Sequence, residues 1–333
     1  MKVSIIIPVY NVNQFVERCV LSALNQTYKN IEVIVVDDCG TDDSIRIVRN
    51  IISDRKYTKI SKIVSHENNR GLSAARNTGI AAASGEYVFF LDADDEITLN
   101  CIELLVNVAN NYKCDFIISD YKIAGTNRLY PPLILDAGYI DSNDQILKSY
   151  FDRDWYMMAF NKLVNTSFLI NNELFFKEGI VHEDELWSFM VACKANTLYV
   201  IKDKTYIYNI RPGSITQSPS IHNLQSRSEI IKSMQEFITK DKTLVDSKTI
   251  YNYFEELKSI YFFDILSSST NNKFKYNFYI TIRNSNYLKS AFPLREYDLN
   301  FARIIRNIHY VLSPFLGFIY YKRLLILKRK LKI

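Results

Sequence analysis

The chain is 333 residues long, 48% hydrophobic and 23% charged, with five cysteines and a formal net charge of +5. That balance excludes a disordered, collagen-like or disulfide-stapled chain, and the length suffices for one large domain or two modest ones. Eight of the 41 Lys and Arg, and no acid, fall in residues 301–333, which leaves a mildly acidic remainder of 33 bases against 36 acids.

Apolar runs and amphipathic stretches alternate from Val3 to Tyr121. Strands are predicted at 3–8, 31–36, 62–64, 87–91 and 115–119, and helices at 14–24, 42–52, 72–82 and 99–110. In the first helix Phe15, Val16, Cys19, Val20, Ala23 and Leu24 fall on one face. The alternation predicts an α/β fold, a mostly parallel sheet with helices on both sides. Gly125, Pro131, Pro132 and Gly138 break the pattern, and an aromatic-rich mixed region follows over 150–208. Past Arg211-Pro212-Gly213-Ser214 the chain turns polar and helical. The expected organisation is therefore 1–120 and 121–220 as two halves of one domain, then a helical region over 221–333.

The ends of the chain carry their own signals. Met1-Lys2 leads straight into the first strand without an apolar leader, and Cys19, Cys39, Cys101, Cys114 and Cys193 form no C-x-x-C pair. Both features predict a cytosolic, reducing compartment. Residues 311–321 are apolar, but they fall short of the roughly 20 residues a spanning helix needs. With the basic run that follows they read either as an anchor lying on anionic lipid or as a packing helix with a solvated basic end.

Chemistry concentrates at predicted strand ends, where ligands of open α/β sheets bind. The run Val88-Phe89-Phe90-Leu91 ends in Asp92, Asp94 and Asp95. On an extended segment Asp92 and Asp94 share a side and suit a hard divalent cation, which in turn holds a diphosphate. Asp37 and Asp38 end the second strand, where a carboxylate can accept from a ribose hydroxyl or a uracil imide. Asp42, Asp43 and Ser44 are explained by capping of the next helix. Arg76, inside a small-residue helix, calls for an acidic or phosphate partner. Glu183-Asp184-Glu185 suits a general base or simply a helix start. Trp155 and Trp187 suit sugar stacking or a core, and His182 and His222 are not counted as metal ligands.

Taken in order, Ser4-Ile5-Ile6-Ile7-Pro8-Val9-Tyr10-Asn11, Val36-Asp37-Asp38, Asn69-x-Gly71-Leu72-Ser73-Ala74-Ala75-Arg76-Asn77 and Asp92-x-Asp94-Asp95 resemble the successive motifs of inverting family 2 glycosyltransferases with the glycosyltransferase-A fold. Asn161-Lys162-Leu163, Gly179-x-x-His182-Glu183-Asp184-Glu185 and Tyr208-x-x-Arg211-x-Gly213-Ser214-Ile215 extend the resemblance to about residue 220, toward bacterial enzymes that decorate surface polysaccharides and lipooligosaccharides. The resemblance implies that Pro8, Tyr10, Asp38, Asn69 and Arg76 bind the uridine diphosphate, with Asp92 and Asp94 at ribose, sugar and a Mn²⁺ or Mg²⁺ ion. It implies Asp184 as catalytic base, with Glu183 beside it on a sugar hydroxyl or exchanging roles. Lys162 and Arg211 are candidates for phosphate or acceptor. Residues 121–220 then become the acceptor half. One departure stands out: Cys39-Gly40 replaces the usual Gly-Ser after the paired aspartates.

The expected activity is metal-dependent transfer of one hexose or N-acetylhexosamine from a UDP-sugar to a saccharide or lipid-linked acceptor, at the inner face of the cytoplasmic membrane. Processive synthesis is not expected, because the sequence has no spanning helices and no Gln-x-x-Arg-Trp motif, which the resemblance associates with polymerising relatives. A dehydrogenase lacks its G-x-G-x-x-G and a P-loop enzyme its Gly-Lys-Ser/Thr. A sugar nucleotidyltransferase needs a glycine-rich loop where Pro8-Val9-Tyr10-Asn11 stands. A catalytically inactive sugar-nucleotide-binding membrane adaptor remains the alternative of another class. Nucleic acid is not an expected partner, and the oligomeric state is not readable.

Overall fold

The apolar run Val3–Val9 forms β1, buried at every position and central in a nine-stranded sheet. The computed structural model describes residues 1–125, 133–210, 221–285 and 301–331. Residues Met1–Gln217 form one compact unit and Ser218–Ile333 a second.

In the first unit β1 is followed by α1 (Val16–Leu24), β2 (Ile31–Asp37), α2 (Ser44–Ile52), β3 (Ser61–Ser65), α3 (Leu72–Ala82) and β4 (Tyr87–Phe90). Then come β5 (Glu96–Ile97), α4 (Cys101–Tyr112), β6 (Phe116–Ala124), β7 (Gly138–Ile140), α5 (Asn143–Phe151), β8 (Lys162–Asn165), α6 (Thr166–Asn171), α7 (Glu183–Lys194) and β9 (Leu198–Asn209). The predicted alternation over the first 121 residues is present. The first helix starts later than expected because the Val12 carbonyl accepts from Phe15 and Val16 N–H, closing a turn ahead of it.

Strand order is β3-β2-β1-β4-β8-β6-β9-β5, with β7 on β9. Two parallel blocks, β3-β2-β1-β4 and β6-β9, are joined by β8, which is antiparallel to both β4 and β6. The sheet is thus the mostly parallel one expected, with antiparallel pairings added by β8, β5 and β7. It draws strands from both sides of residue 120. In the first block Val9 pairs with Asp37 and Ile6 with Phe90, so the carboxyl ends of β1, β2 and β4 share one edge. α3 lies close over β1: a Cβ on Gly79 would meet Ile6 Cγ2 at 2.2 Å. The small residues of α3 therefore serve close packing against the sheet.

The second unit contains α8 (Ile221–Thr239), α9 (Lys242–Val245), α10 (Lys248–Ser267), α11 (Asn272–Asn284), α12 (Phe301–Asn307) and α13 (Pro314–Leu331), with a 3-10 turn at Ile308–Tyr310. The side chains of Asp241, Ser247 and Asn271 cap α9, α10 and α11 by accepting backbone N–H groups. Its core holds Phe254, Phe262, Tyr279, Ile282 and Tyr321 around a buried polar cluster. There Lys258 donates to Glu255 Oε1 at 2.6 Å and to the Tyr310 hydroxyl, which in turn donates to Glu255 Oε2 at 2.9 Å. Among the described residues no helix is long and apolar enough to cross a membrane.

Candidate active site

The shared edge of β1, β2 and β4 gathers the first group of candidates. Pro8 is buried in β1, whereas Tyr10, just past its end, is 46% exposed. Asn11, in left-handed backbone, accepts from Thr41 N–H at 2.8 Å and so ties the loops after β1 and β2 together. Asp38 is buried, and its carboxylate accepts from the N–H groups of Arg70 and Gly71, both at 2.8 Å. His66 Nδ1 lies 2.7 Å from the same carboxylate, and its Nε2 lies 2.8 Å from Thr78 Oγ1. Asp38 thereby fixes the loop on which Asn69 stands exposed. Cys39 occupies φ +57°, a backbone that favours glycine, and its N–H donates to Asp37 Oδ1 at 3.1 Å.

The acidic run after β4 does not continue as a strand. Asp95 N–H donates to the Asp92 carbonyl at 3.0 Å, closing a turn over Asp92–Asp95. The extended geometry expected for Asp92 and Asp94 is therefore replaced by a turn, held by groups remote in sequence. Tyr206 Oη accepts from Asp92 N–H at 3.2 Å and donates to Asp95 Oδ2 at 2.7 Å. Asn209 donates its N–H to Asp95 at 2.7 Å, and its Nδ2 reaches the Asp94 carbonyl at 3.1 Å, as Arg18 does at 3.2 Å. Burial first, then Asp94 and Asp92, hold the Asp95 carboxyl above the usual carboxylate range.

Arg76 is the centre of the site. Its guanidinium is fully buried and donates to Asp92 Oδ1 at 2.9 Å, Glu183 Oε1 at 3.0 Å and Asp184 Oδ1 at 2.5 Å. Phe176 lies against it, with Cζ 5.0 Å from the ring centroid. Burying a lone cation costs several kcal/mol, and three carboxylates offset that here. Desolvation opposes the charge, but Asp184, Asp92 and Glu183 outweigh it and raise the pKa. The acids respond to the same crowding. Burial, with help from Asp184, pushes the Glu183 carboxyl up to about 7 against the pull of Arg76, and Asp92 is raised by burial and its acidic neighbours.

Glu183 and Asp184 open α7 directly after His182, which is in left-handed backbone. A helix N-terminus favours acids, so the helix-start reading and the site reading hold together. The approach to α7 is locked: Asn77 Nδ2 donates to the Phe176 carbonyl at 2.8 Å and Asn77 Oδ1 accepts the Phe176 N–H at 2.9 Å. Phe176 stacks on Trp187 at 4.8 Å, and Phe90 meets both edge-on. Trp187 and Trp155 are buried in the core and present no face to a sugar.

Lys162 is fully buried on β8, and its ammonium donates to the Tyr156 carbonyl at 3.2 Å and to the Met158 carbonyl. Burial pushes its pKa down to about 7, opposed by Asp184. It holds the 156–158 segment in place and is not open to a phosphate. Arg211, with Gly213 and Ser214, lies outside the described residues.

Hard divalent cations are commonly held by one or two carboxylates together with substrate phosphates and water. Among the described residues no group of three or more His, Cys, Asp or Glu could hold a metal, so a cation here would draw its remaining oxygens from substrate phosphates or water. Asp94 and Asp92 are half-buried beside a cluster in which three carboxylates share the Arg76 guanidinium. That donor set fits Mg²⁺ or Mn²⁺ on a diphosphate.

The sequence model of the family described as Glycosyl transferase family 2 matches residues 4–169. The uncharacterized glycosyltransferase EpsJ of Bacillus subtilis is 33% identical over 224 residues, 65% of this chain and 63% of EpsJ, so the match spans less than two thirds of that relative. Glycosyltransferase GlyG of Streptococcus pneumoniae serotype 4 is 30% identical over 223 residues, 65% of this chain and 73% of GlyG. The crystal structure of S. aureus TarS 1–349 in complex with UDP-GlcNAc superposes with a TM-score of 0.76 at 18% identity, covering 99% of this chain and 92% of that one. The fold is therefore the glycosyltransferase-A fold expected, and this chain belongs to glycosyl transferase family 2.

Proposed function

We propose that this chain transfers a single hexose or N-acetylhexosamine from a UDP-sugar to a saccharide acceptor of a lipooligosaccharide, capsule or lipid-linked glycan, with inversion at the anomeric carbon. The observation that carries this reading is the sharing of Arg76 by Asp92, from the acidic turn, and Asp184, from the first turn of α7. A donor-facing acid and a candidate base thus lie within the span of one guanidinium. The UDP-GlcNAc bound by TarS, a protein of the same fold, supports a UDP-sugar as donor.

Tyr10 and the loop bearing Asn69 would flank the nucleoside at the strand edge. A divalent cation on Asp94 and Asp92 would supply Lewis-acid neutralisation of the diphosphate as the C1–O bond breaks. Asp184 takes the proton of the acceptor hydroxyl while that oxygen attacks C1, and UDP departs from the opposite face. A single displacement of this kind inverts the centre. Arg76 orients the Asp184 carboxylate, and Glu183 holds a sugar hydroxyl.

The test is UDP release from UDP-glucose, UDP-galactose and their N-acetylhexosamine counterparts, with and without Mn²⁺ or Mg²⁺. One donor is expected to give metal-dependent release that a chelator stops. Asp184→Asn is expected to lower the rate by about 10²–10⁴-fold, the range of general base catalysis, and Asp94→Ala to remove metal dependence. Wild-type rates in both variants would defeat the mechanism, and donor binding without turnover would leave the inactive adaptor.

A further inference from the structure

The last helix has two unlike faces. Gly317, Phe318, Tyr321 and Leu325 are buried, with Tyr321 stacked on Phe262 at 5.3 Å. Gly317 fixes this rotation, because a Cβ there would meet Tyr279 Oη at 2.3 Å and the His309 carbonyl at 2.6 Å. At 3.6 residues per turn the six residues Phe315, Leu316, Arg323, Ile326, Leu327 and Lys330 fall within an arc of about 120° on the other side. All six are exposed, Phe315 by 63% and Leu316 and Leu327 by 55% each. Helices on water normally turn charged and polar residues outward. This one turns out four large apolar side chains with two cations among them.

The charge of the segment is one-sided. Residues 301–333 hold eight Lys and Arg and no acid. Arg306 is buried, its Nε donating to Asn307 Oδ1 at 2.9 Å, and so adds nothing to the outer face.

We propose that the outer face of α13 docks on an anionic lipid surface. Phe315, Leu316, Ile326 and Leu327 enter the boundary between headgroups and acyl chains, while Arg323 and Lys330 meet lipid phosphates. The helix lies in the interface and does not span it. Two other occupants fit less well. A second copy of the chain would set cations against cations, and a nucleic acid would leave the four apolar side chains in water. This inference goes beyond the sugar-transfer reading and does not depend on it.

The experiment sediments the full chain with vesicles of phosphatidylcholine alone or with about one third phosphatidylglycerol. Wild type is expected to partition at least about tenfold better onto anionic vesicles and to lose that preference as salt rises from about 0.1 to about 0.5 M. The triple variant Phe315→Ser, Leu316→Ser, Leu327→Ser and the double variant Arg323→Gln, Lys330→Gln are each expected to lose about tenfold or more. Circular dichroism melts check that the variants stay folded. If the triple variant does not, the single variants Leu327→Ser and Arg323→Gln take its place, each with a smaller loss expected. Equal binding to neutral vesicles, or unchanged binding by the folded variants, would overturn the proposal. So would a solution dimer that the variants dissociate, or retention of oligonucleotides in place of vesicles.

Discussion

Each unit of this protein buries an ionic cluster, and the two are built to opposite balances. Around Arg76 one cation serves Asp92, Glu183 and Asp184, and the Asp92 and Asp184 side chains stay 25% and 22% exposed. Around Glu255 one acid faces Lys258 and Arg306 and is sealed by Tyr310, with Glu255 and Lys258 almost fully buried. Burial opposes ionisation of Glu255, but Lys258 and Arg306 outweigh it and hold its pKa below the ordinary value, whereas Glu183 is driven up to about 7. A surplus of acid left at an opening is available to a ligand and a proton. A closed pair with every polar atom of Glu255 occupied serves the core.

Substitutions can break this contrast, beginning with the largest effect. Arg76→Met leaves three carboxylates without their cation and is expected to destabilise by about 3–5 kcal/mol and to abolish transfer. Without the cation, Asp92 and Glu183 have still higher folded pKa values. Folding then takes up protons, so the deficit deepens from about pH 5 to about pH 8 in urea titrations. A small, pH-independent loss would deny Arg76 its central place. In the other cluster Lys258→Met is expected to cost about 3 kcal/mol, while the double variant Glu255→Gln, Lys258→Met returns to within about 1–2 kcal/mol of wild type. Donor hydrolysis should not change in either, and a loss of hydrolysis would make the second cluster part of the chemistry.

Smaller effects sharpen the same contrast. Glu183 has a folded pKa of about 7 against an ordinary value of 4.5. Its contribution is complete at low pH and declines as pH rises through that window, by about 3 kcal/mol. Glu183→Gln should flatten this part of the stability–pH curve, and an unaltered slope would contradict the assigned environment. Strain is divided between the units as well: among the described residues all seven non-glycine residues with positive φ lie in the first. Cys39→Gly, relieving one of them beside the strand edge, is expected to add up to about 1 kcal/mol to thermal stability.

Local signals in the sequence were legible where local physics sets the structure. Alternation of apolar runs and amphipathic stretches located the helices of the first 121 residues and every strand there but the two-residue β5, and the abrupt ends of β2 and β4 located the acids. Arg76 was expected to need an anionic partner, but its partners lie 16, 107 and 108 residues away, and nothing in its neighbourhood chooses carboxylates over a phosphate. The same holds for the Tyr206 and Asn209 contacts that fold Asp92–Asp95 into a turn, and for the carbonyls that occupy Lys162. The third carboxylate, Asp95, was the one visible hint that the acidic run needed a structural partner. Arg306 belongs to the basic tail by composition, which cannot tell a buried cation from a solvated one.

The placement of β8 bears on how the chain folds as it is made. Until residues 162–165 leave the ribosome β4 has an unpaired edge, and until residues 183–184 follow Arg76 lacks two of its three carboxylates. A nascent or truncated chain ending near residue 125 would expose that open strand to other chains, the circumstance in which strands pair wrongly and aggregate. Release of a foldable product thus waits on the emergence of the helix that bears Asp184.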